Sequence, residues 1–147
     1  MGMFTAFDIN SSGLTAQRYR MDIISENVAN ANTTRTADGT PYVRKVVTFE
    51  EKGKQTPFSR ILNKSFDRYS GEGVKIGGVY KDTQTEMNMV YDPSHPDADE
   101  NGYVLYPNVN IITEMTNLID ASRSYEANST AFTATKAMAM KGLSLGQ

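Results

Sequence analysis

Residues 111–143, IITEMTNLIDASRSYEANSTAFTATKAMAMKGL, decide the fold. Within them Ile111, Met115, Leu118, Ser122, Tyr125, Ser129, Phe132, Lys136, Ala139 and Leu143 step by alternating four and three residues. Side chains three and four apart lie on one face of an α-helix. A mean period of about 3.5 residues, held this long, predicts a left-handed supercoil against a partner helix. At ~1.5 Å per residue such a helix extends about 50 Å, more than a middle region of this size covers. Pro107-Asn108 precedes it, and Asn108 is the expected N-cap.

A second pattern of the same kind opens the chain, from about Phe4 to Val28. Phe7, Leu14, Met21 and Val28 recur every seven residues, with Phe4, Ser11, Arg18 and Ser25 between them. Ile9, Ala16 and Ile23 form a separate apolar stripe, so the helix has more apolar surface than one seam covers. Asn30-Ala31-Asn32-Thr33-Thr34 is rich in side chains that compete for backbone hydrogen bonds, and the helix is expected to fray there. Asp38-Gly39-Thr40-Pro41 is a turn signal. Residues 42–49, 74–80, 86–91 and 103–106 read as strands from their β-branched and aromatic content, while 53–73 and the acidic, proline-bearing 92–102 read as loops.

The expected fold is therefore mainly α with a small β region. An N-terminal helix occupies 1–34, a short β-rich segment 35–106 and a C-terminal helix 107–147, the two long helices forming a coiled-coil-like layer. They could pair with each other as an antiparallel hairpin, giving a self-contained helical binding module. Against this, Ser122, Ser129 and Lys136 interrupt one seam, and Ser11 and Arg18 the other. Polar residues at such positions weaken a two-helix pair but help fix register. The last helix also has a second apolar face through Ile112, Ile119, Ala131, Ala134 and Met138. Apolar surface on two sides suits a multi-helix layer, and head-to-tail contacts between such subunits propagate into helical arrays.

Composition narrows the chemistry. The 147 residues carry a net charge of −2 with acids and bases interspersed, which argues against nucleic acid or anionic membrane as the main partner. No apolar run is long enough to span a bilayer, and the first residues lack the pattern of a cleaved signal peptide. With no cysteine, disulfides, thiolate metal sites and cysteine nucleophiles are excluded. Asp97, Asp99, Asn101 and Gly102 spell the start of a calcium loop, but Asn108 stands where a bidentate glutamate is needed, so a solvated acidic turn is expected. His95, the single histidine, is flanked by Pro93 and Pro96 and has no companions arranged for catalysis. Gly71, Gly73, Gly77 and Gly78 lack the helix that a phosphate-cradling loop requires. The sequence thus predicts no catalytic residue, cofactor, metal or small-molecule substrate.

Two groups of residues carry a resemblance. Ser12-Gly13-Leu14-Thr15-Ala16-Gln17-Arg18-Tyr19-Arg20-Met21-Asp22, followed by Asn27-Val28-Ala29-Asn30-Ala31-Asn32-Thr33-Thr34, resembles the N-terminal signature of flagellar axial proteins. Tyr91-Asp92-Pro93-Ser94-His95-Pro96-Asp97-Ala98-Asp99-Glu100-Asn101-Gly102-Tyr103, with Pro107-Asn108-Val109-Asn110 and the run from Glu114 to Asn128, is similar to the proximal rod proteins of that family. The resemblance implies a non-enzymatic structural subunit of the bacterial flagellum basal body that polymerises through its terminal helices and transmits motor torque. It implies export without a cleaved signal peptide by the flagellar type III apparatus, and a place in the rod across the periplasmic space. Partners would be further copies, other rod proteins and basal-body ring or adaptor proteins, with no membrane insertion. The expected subunit interface is Phe7, Leu14, Met21, Val28, Ile111, Met115, Leu118, Tyr125, Phe132 and Leu143.

Overall fold

The computed structural model describes residues 3–52 and 73–144. The loop expected at 53–73 lies, apart from Gly73, outside them. Helix α1 (Met3–Ala29) is followed by strands β1 (Lys45–Glu51), β2 (Val74–Lys81), β3 (Asn88–Tyr91) and β4 (Tyr103–Tyr106), and by helix α2 (Ile111–Ser144). The two long terminal helices and small β middle are the fold class that the heptads predict. The first strand begins three residues later than expected, because Tyr42 and Arg44 turn their side chains into a polar cluster described below.

β1 and β2 form one two-stranded sheet and β3 and β4 another. Lys52 N–H donates to Gly73 O and Asp82 N–H to Arg44 O (2.9 and 2.8 Å), so β1 and β2 run antiparallel. The second hairpin pairs Asn88 with Tyr106, Met89 with Leu105, Val90 with Val104 and Tyr91 with Tyr103. Neither sheet is wide enough to be stable alone.

The chain divides into two compact units. One comprises Met1–Tyr19, Phe49–Gly77 and Ser122–Gln147, and in it the helices are antiparallel. The Phe7 and Phe132 rings meet edge to face at 5.1 Å, Asn10 Nδ2 donates to Thr135 Oγ1 at 3.4 Å, and Gly13 faces Asn128. A Cβ at Gly13 would stand 2.9 Å from Asn128 Oδ1, so glycine permits this approach. β2 starts against the other side of α1. Gly73, at φ 101°, leaves room for Ser12, whose hydroxyl donates to Ile9 O and accepts Val74 N–H. The expected stripe through Ile9 and Ala16 thus lies on the side of α1 that faces the start of β2.

The other unit comprises Arg20–Thr48 and Gly78–Ala121. Ala31, Tyr42 and Val109 pack together as its buried cluster, with Ile24, Val104 and Ala121 also buried. α1 ends with Asn30 folding its side chain back onto Glu26 O (2.9 Å), where the asparagine-rich run predicts fraying. The turn expected at Asp38–Pro41 is closed by Thr36 N–H to Thr40 O and Gly39 N–H to Thr36 O.

Two sequence expectations are corrected. The inward line of α2 keeps Leu118, Ser122, Phe132 and Ala139 and adds Glu114, Ala121, Asn128 and Thr135, while Met115, Tyr125, Ser129 and Lys136 turn outward. Glu114 and Ala121 are buried, whereas Met115, Ser129 and Lys136 are exposed and Ser122 is half-buried. Hydrophobicity alone favours Met115 over its neighbour Glu114, yet the carboxylate turns inward because bonding partners await it.

Nor is Asn108 the N-cap of α2. That role falls to Asn110, whose Oδ1 accepts Thr113 N–H and whose carbonyl accepts Glu114 N–H. Asn108 is buried and ties three strand-flanking segments together. Its Oδ1 accepts Arg44 N–H (2.9 Å), and its Nδ2 donates to Asp82 O and Thr85 O (2.8 and 3.1 Å). The two asparagines are therefore expected to differ under urea unfolding. Asn108→Ala strands three backbone groups and costs about 3 kcal/mol, since each unsatisfied buried group costs about 1–3 kcal/mol. Asn110→Ala removes a cap and costs about 1 kcal/mol. Equal losses would refute this division of roles.

Candidate functional site

The most buried polar cluster of the described residues lies where the end of α1, the approach to β1 and the first turn of α2 converge. Asn27 is 1% exposed and its amide is fully bonded. Oδ1 accepts Tyr42 Oη–H and Lys45 N–H (both 2.9 Å), while Nδ2 donates to Lys45 O (2.8 Å) and Glu114 Oε2 (3.0 Å). The side chain thus pairs with the Lys45 backbone in both directions, as a neighbouring strand would. Glu114 is 1% exposed, and its other oxygen receives Arg44 Nε and Nη2 at 2.9 and 2.7 Å. Arg44 Nη1 reaches Asp82 Oδ2 at 3.4 Å. Lys45 Nζ pairs with Glu26 and sits 5.8 Å from the Tyr42 ring centroid.

The electrostatics follow from this geometry. Burial works against the Arg44 guanidinium, but its hydrogen bond to Glu114, the charge of Glu114 and the contact with Asp82 outweigh that and raise its pKa. Burial, with Glu26 and Glu114 nearby, pushes the Tyr42 phenol up to about 12. Bonds from the Thr85 hydroxyl and backbone, Gln84 N–H and Arg44 hold the Asp82 carboxyl below its ordinary value. Glu114 also stands in the first turn of α2, where the helix dipole favours a negative charge. Each polar atom named is directed at another protein group. The cluster is a clasp joining α1, β1, the segment after β2 and α2.

None of these residues was singled out as functional by the sequence. The usable signals were Asn27 at the seam end of an amphipathic helix and Glu114 one position off the apolar line.

The expected interface residues fall into two groups. Phe7, Leu14, Met21 and Val28 on α1 are half-buried, as are Leu118 and Phe132 on α2. Ile111, Met115, Tyr125 and Leu143 are 42, 55, 36 and 70% exposed. Phe7 and Phe132 meet within the chain. Ile112, at 78%, and Ile119, at 54%, join Met115 as an exposed stripe at spacing i, i+3, i+7. The acidic turn has its own partners. Asp97 accepts the Thr34 hydroxyl and lies 3.6 Å from Arg35, and Asp99 Oδ1 accepts Asn101 and Tyr103 N–H. His95 Nδ1 accepts Asp97 N–H while its ring packs edge-on to Tyr106. Among the described residues no three His, Cys, Asp or Glu side chains are arranged to hold a metal ion.

Two measurements test the clasp. Arg44→Met leaves Glu114 buried without its cation and is expected to lower unfolding free energy by about 3–5 kcal/mol. Adding Glu114→Leu should recover part of that loss, because replacing both partners removes the stranded charge. No recovery in the double variant would count against the pairing. Tyr42 gives a signature at high pH. Its folded pKa lies above that of an unfolded tyrosine, so the neutral phenol's contribution is full below about pH 10 and lost as pH rises towards about 12. Tyr42→Phe should cost about 1 kcal/mol at neutral pH. The gap to wild type should then close, and reverse, across that alkaline window. A gap independent of pH would refute the assignment.

Known proteins resemble this chain over its whole length. The family described as Flagella basal body rod protein matches residues 7–35, and Flagellar basal body rod FlgEFG protein C-terminal matches 100–145. The flagellar basal-body rod protein FlgC of Bacillus subtilis is 45% identical, with all of both chains covered. FlgC of Borreliella burgdorferi is 41% identical over all of this chain and 99% of its own, and that of Escherichia coli O157:H7 is 39% identical with full coverage of both. The matched segments contain Glu26 and Asn27 of the clasp in the first and Glu114, with Asn108 and Phe132, in the second, while Tyr42, Arg44, Lys45 and Asp82 lie between them. With heptad-bearing terminal helices, a small β middle and full-length identity well above 30%, the chain belongs to the FlgC family of flagellar basal-body rod proteins.

Proposed function

We propose that this chain is a structural, non-enzymatic subunit of the rod of the bacterial flagellar basal body. It assembles with further copies and with other rod and basal-body proteins, polymerising through its terminal helices into the shaft that carries motor torque. The observation that carries this reading is the full-length identity with proteins named as rod subunits. The helix surface supports it. Torque transmission needs apolar contacts in fixed register, and α2 exposes Ile112, Met115 and Ile119 on one stripe. Ile111, Tyr125 and Leu143 are also exposed on α2. Phe7, Leu14, Met21, Val28, Leu118 and Phe132 act there by holding the helices that present it. Described helices include none long and apolar enough to cross a membrane, which suits a subunit that reaches the rod through the flagellar export apparatus.

Ile112→Asp against Leu118→Asp tests the polymerisation. Ile112 is exposed, so the first change should leave monomer stability within about 0.5 kcal/mol of wild type. It should nevertheless abolish rod assembly and swimming. Leu118 lies on the inward line, so the second change should lower monomer stability by several kcal/mol. Normal swimming by the Ile112→Asp strain would remove this stripe from the interface. Absence of the wild-type chain from purified basal bodies would overturn the function itself.

A further inference from the structure

The β3–β4 hairpin carries an uncovered apolar face. Register sets Met89 opposite Leu105 and Tyr91 opposite Tyr103, and residues two apart on a strand share a face. The four side chains therefore form one patch, exposed by 65, 43, 64 and 41% respectively. The Tyr91 and Tyr103 rings meet edge to face at 5.2 Å. Met89, Tyr103 and Leu105 also line a groove of about 470 Å³, together with Pro41, Asp97, Asp99 and Arg35, whose guanidinium lies 3.6 Å from Asp97 and leaves Asp99 and Glu100 as the acids open to a second cation. Beside it runs the loop 92–102, which holds Asp92, Asp97, Asp99 and Glu100 and neither lysine nor arginine. Among the described residues Asp99 and Glu100 form no ion pair.

A surface of the opposite sign is present on the same chain. Residues 129–147 contain Lys136 and Lys141 and no acid. On α2, Ala127, Ala131, Ala134, Met138 and Lys141 step by four and three residues, and all are exposed. This makes a flat helix face with one protruding thioether, at 68% exposure, and a cation one turn beyond it. Alanines let a helix lie close to aromatic rings, and a methionine sulfur packs favourably against a ring edge.

We infer that the Ala131–Met138–Lys141 face of one copy seats on the Met89–Tyr91–Tyr103–Leu105 face of the next, with Met138 in the groove and Lys141 against Asp99 and Glu100. The inference rests on the rod reading and specifies a contact within it. A second copy is the occupant because both halves, matched in apolar character and opposite in charge, belong to this one sequence. The two patches differ, so the contact is head to tail and repeats from copy to copy instead of closing as a two-fold dimer. Opposite charge on the two faces also steers approach and makes the contact salt-sensitive.

The chain has no cysteine, so single introduced thiols report contacts cleanly. Leu105→Cys and Met138→Cys chains, bearing different tags, are co-expressed, and basal bodies are purified and oxidised. The expected product is a disulfide-linked dimer containing both tags, absent when either variant is present alone. Incorporation of both variants without the mixed dimer overturns this contact and leaves the rod reading standing. Absence of tagged wild-type chain from basal bodies overturns the rod reading and the contact together. Charge exchange gives an independent measure that needs no cross-link. Glu100→Lys and Lys141→Glu should each reduce swimming several-fold, and the double variant should restore it. Single variants that swim normally, or a double no better than the singles, also overturn the contact.

Discussion

The amide of Asn27 constrains the second unit more tightly than any apolar contact. It has two donor hydrogens and two acceptor lone pairs, and all are used by Tyr42, Glu114 and both backbone groups of Lys45. A shift of one residue along α1 would leave those partners unsatisfied in a site with almost no water access, at about 1–3 kcal/mol per stranded group. Leucine or alanine seams tolerate such slips better, because apolar contact is not directional. The clasp therefore fixes axial register between the end of α1, the start of β1 and the first turn of α2. The seam has few large apolar residues, and the clasp supplies the specificity they cannot.

The legible and illegible parts of the sequence divide along the same line. Helices were visible because Phe7, Leu14, Met21 and Phe132 repeat with a period that only a helix matches. β4 was found to the residue, since Tyr103–Tyr106 is bounded by Gly102 and Pro107. What periodicity could not reveal is any position where a polar residue is the inward one. Hydrophobicity assigned Met115 to the seam, and Glu114 occupies it. Capping preference nominated Asn108, and the N-cap is Asn110. Both errors have one cause. A buried polar side chain is stabilised by partners distant in sequence, Arg44 for Glu114 and Asp82 with Thr85 for Asn108, and local pattern carries no trace of them. Of the expected interface residues, those on α1 are all half-buried, but exposure separates Ile111, Met115, Tyr125 and Leu143 from the rest.

A seam built from Gly13, Asn10, Asn128 and Thr135 beside a single Phe7–Phe132 pair has a second consequence. Small and polar residues bring the helices close and fix their register, yet they bury little apolar area, and stabilisation follows that area at roughly 25 cal/mol per Å². Five large apolar residues of α2, Ile112, Met115, Ile119, Met138 and Met140, are on the outside, each more than half exposed, against Leu118 and Phe132 turned inward. In a self-sufficient two-helix domain the arrangement would be reversed. On the rod reading, this hydrophobic area is what contacts beyond the chain would cover, and polar bonds hold the shape that presents it.

The division of labour suits a subunit that must be correct before it is stable. Directional bonds at Asn27, Arg44, Asn108 and Glu114 select one register at little cost in exposed surface. Apolar faces then gain their free energy only when a neighbour covers them. Because the uncovered faces on α2 and on the β3–β4 hairpin differ in shape and charge, each can be satisfied by the other without either being satisfied by itself. Self-complementary faces would close into pairs and stop. Unlike faces continue from copy to copy.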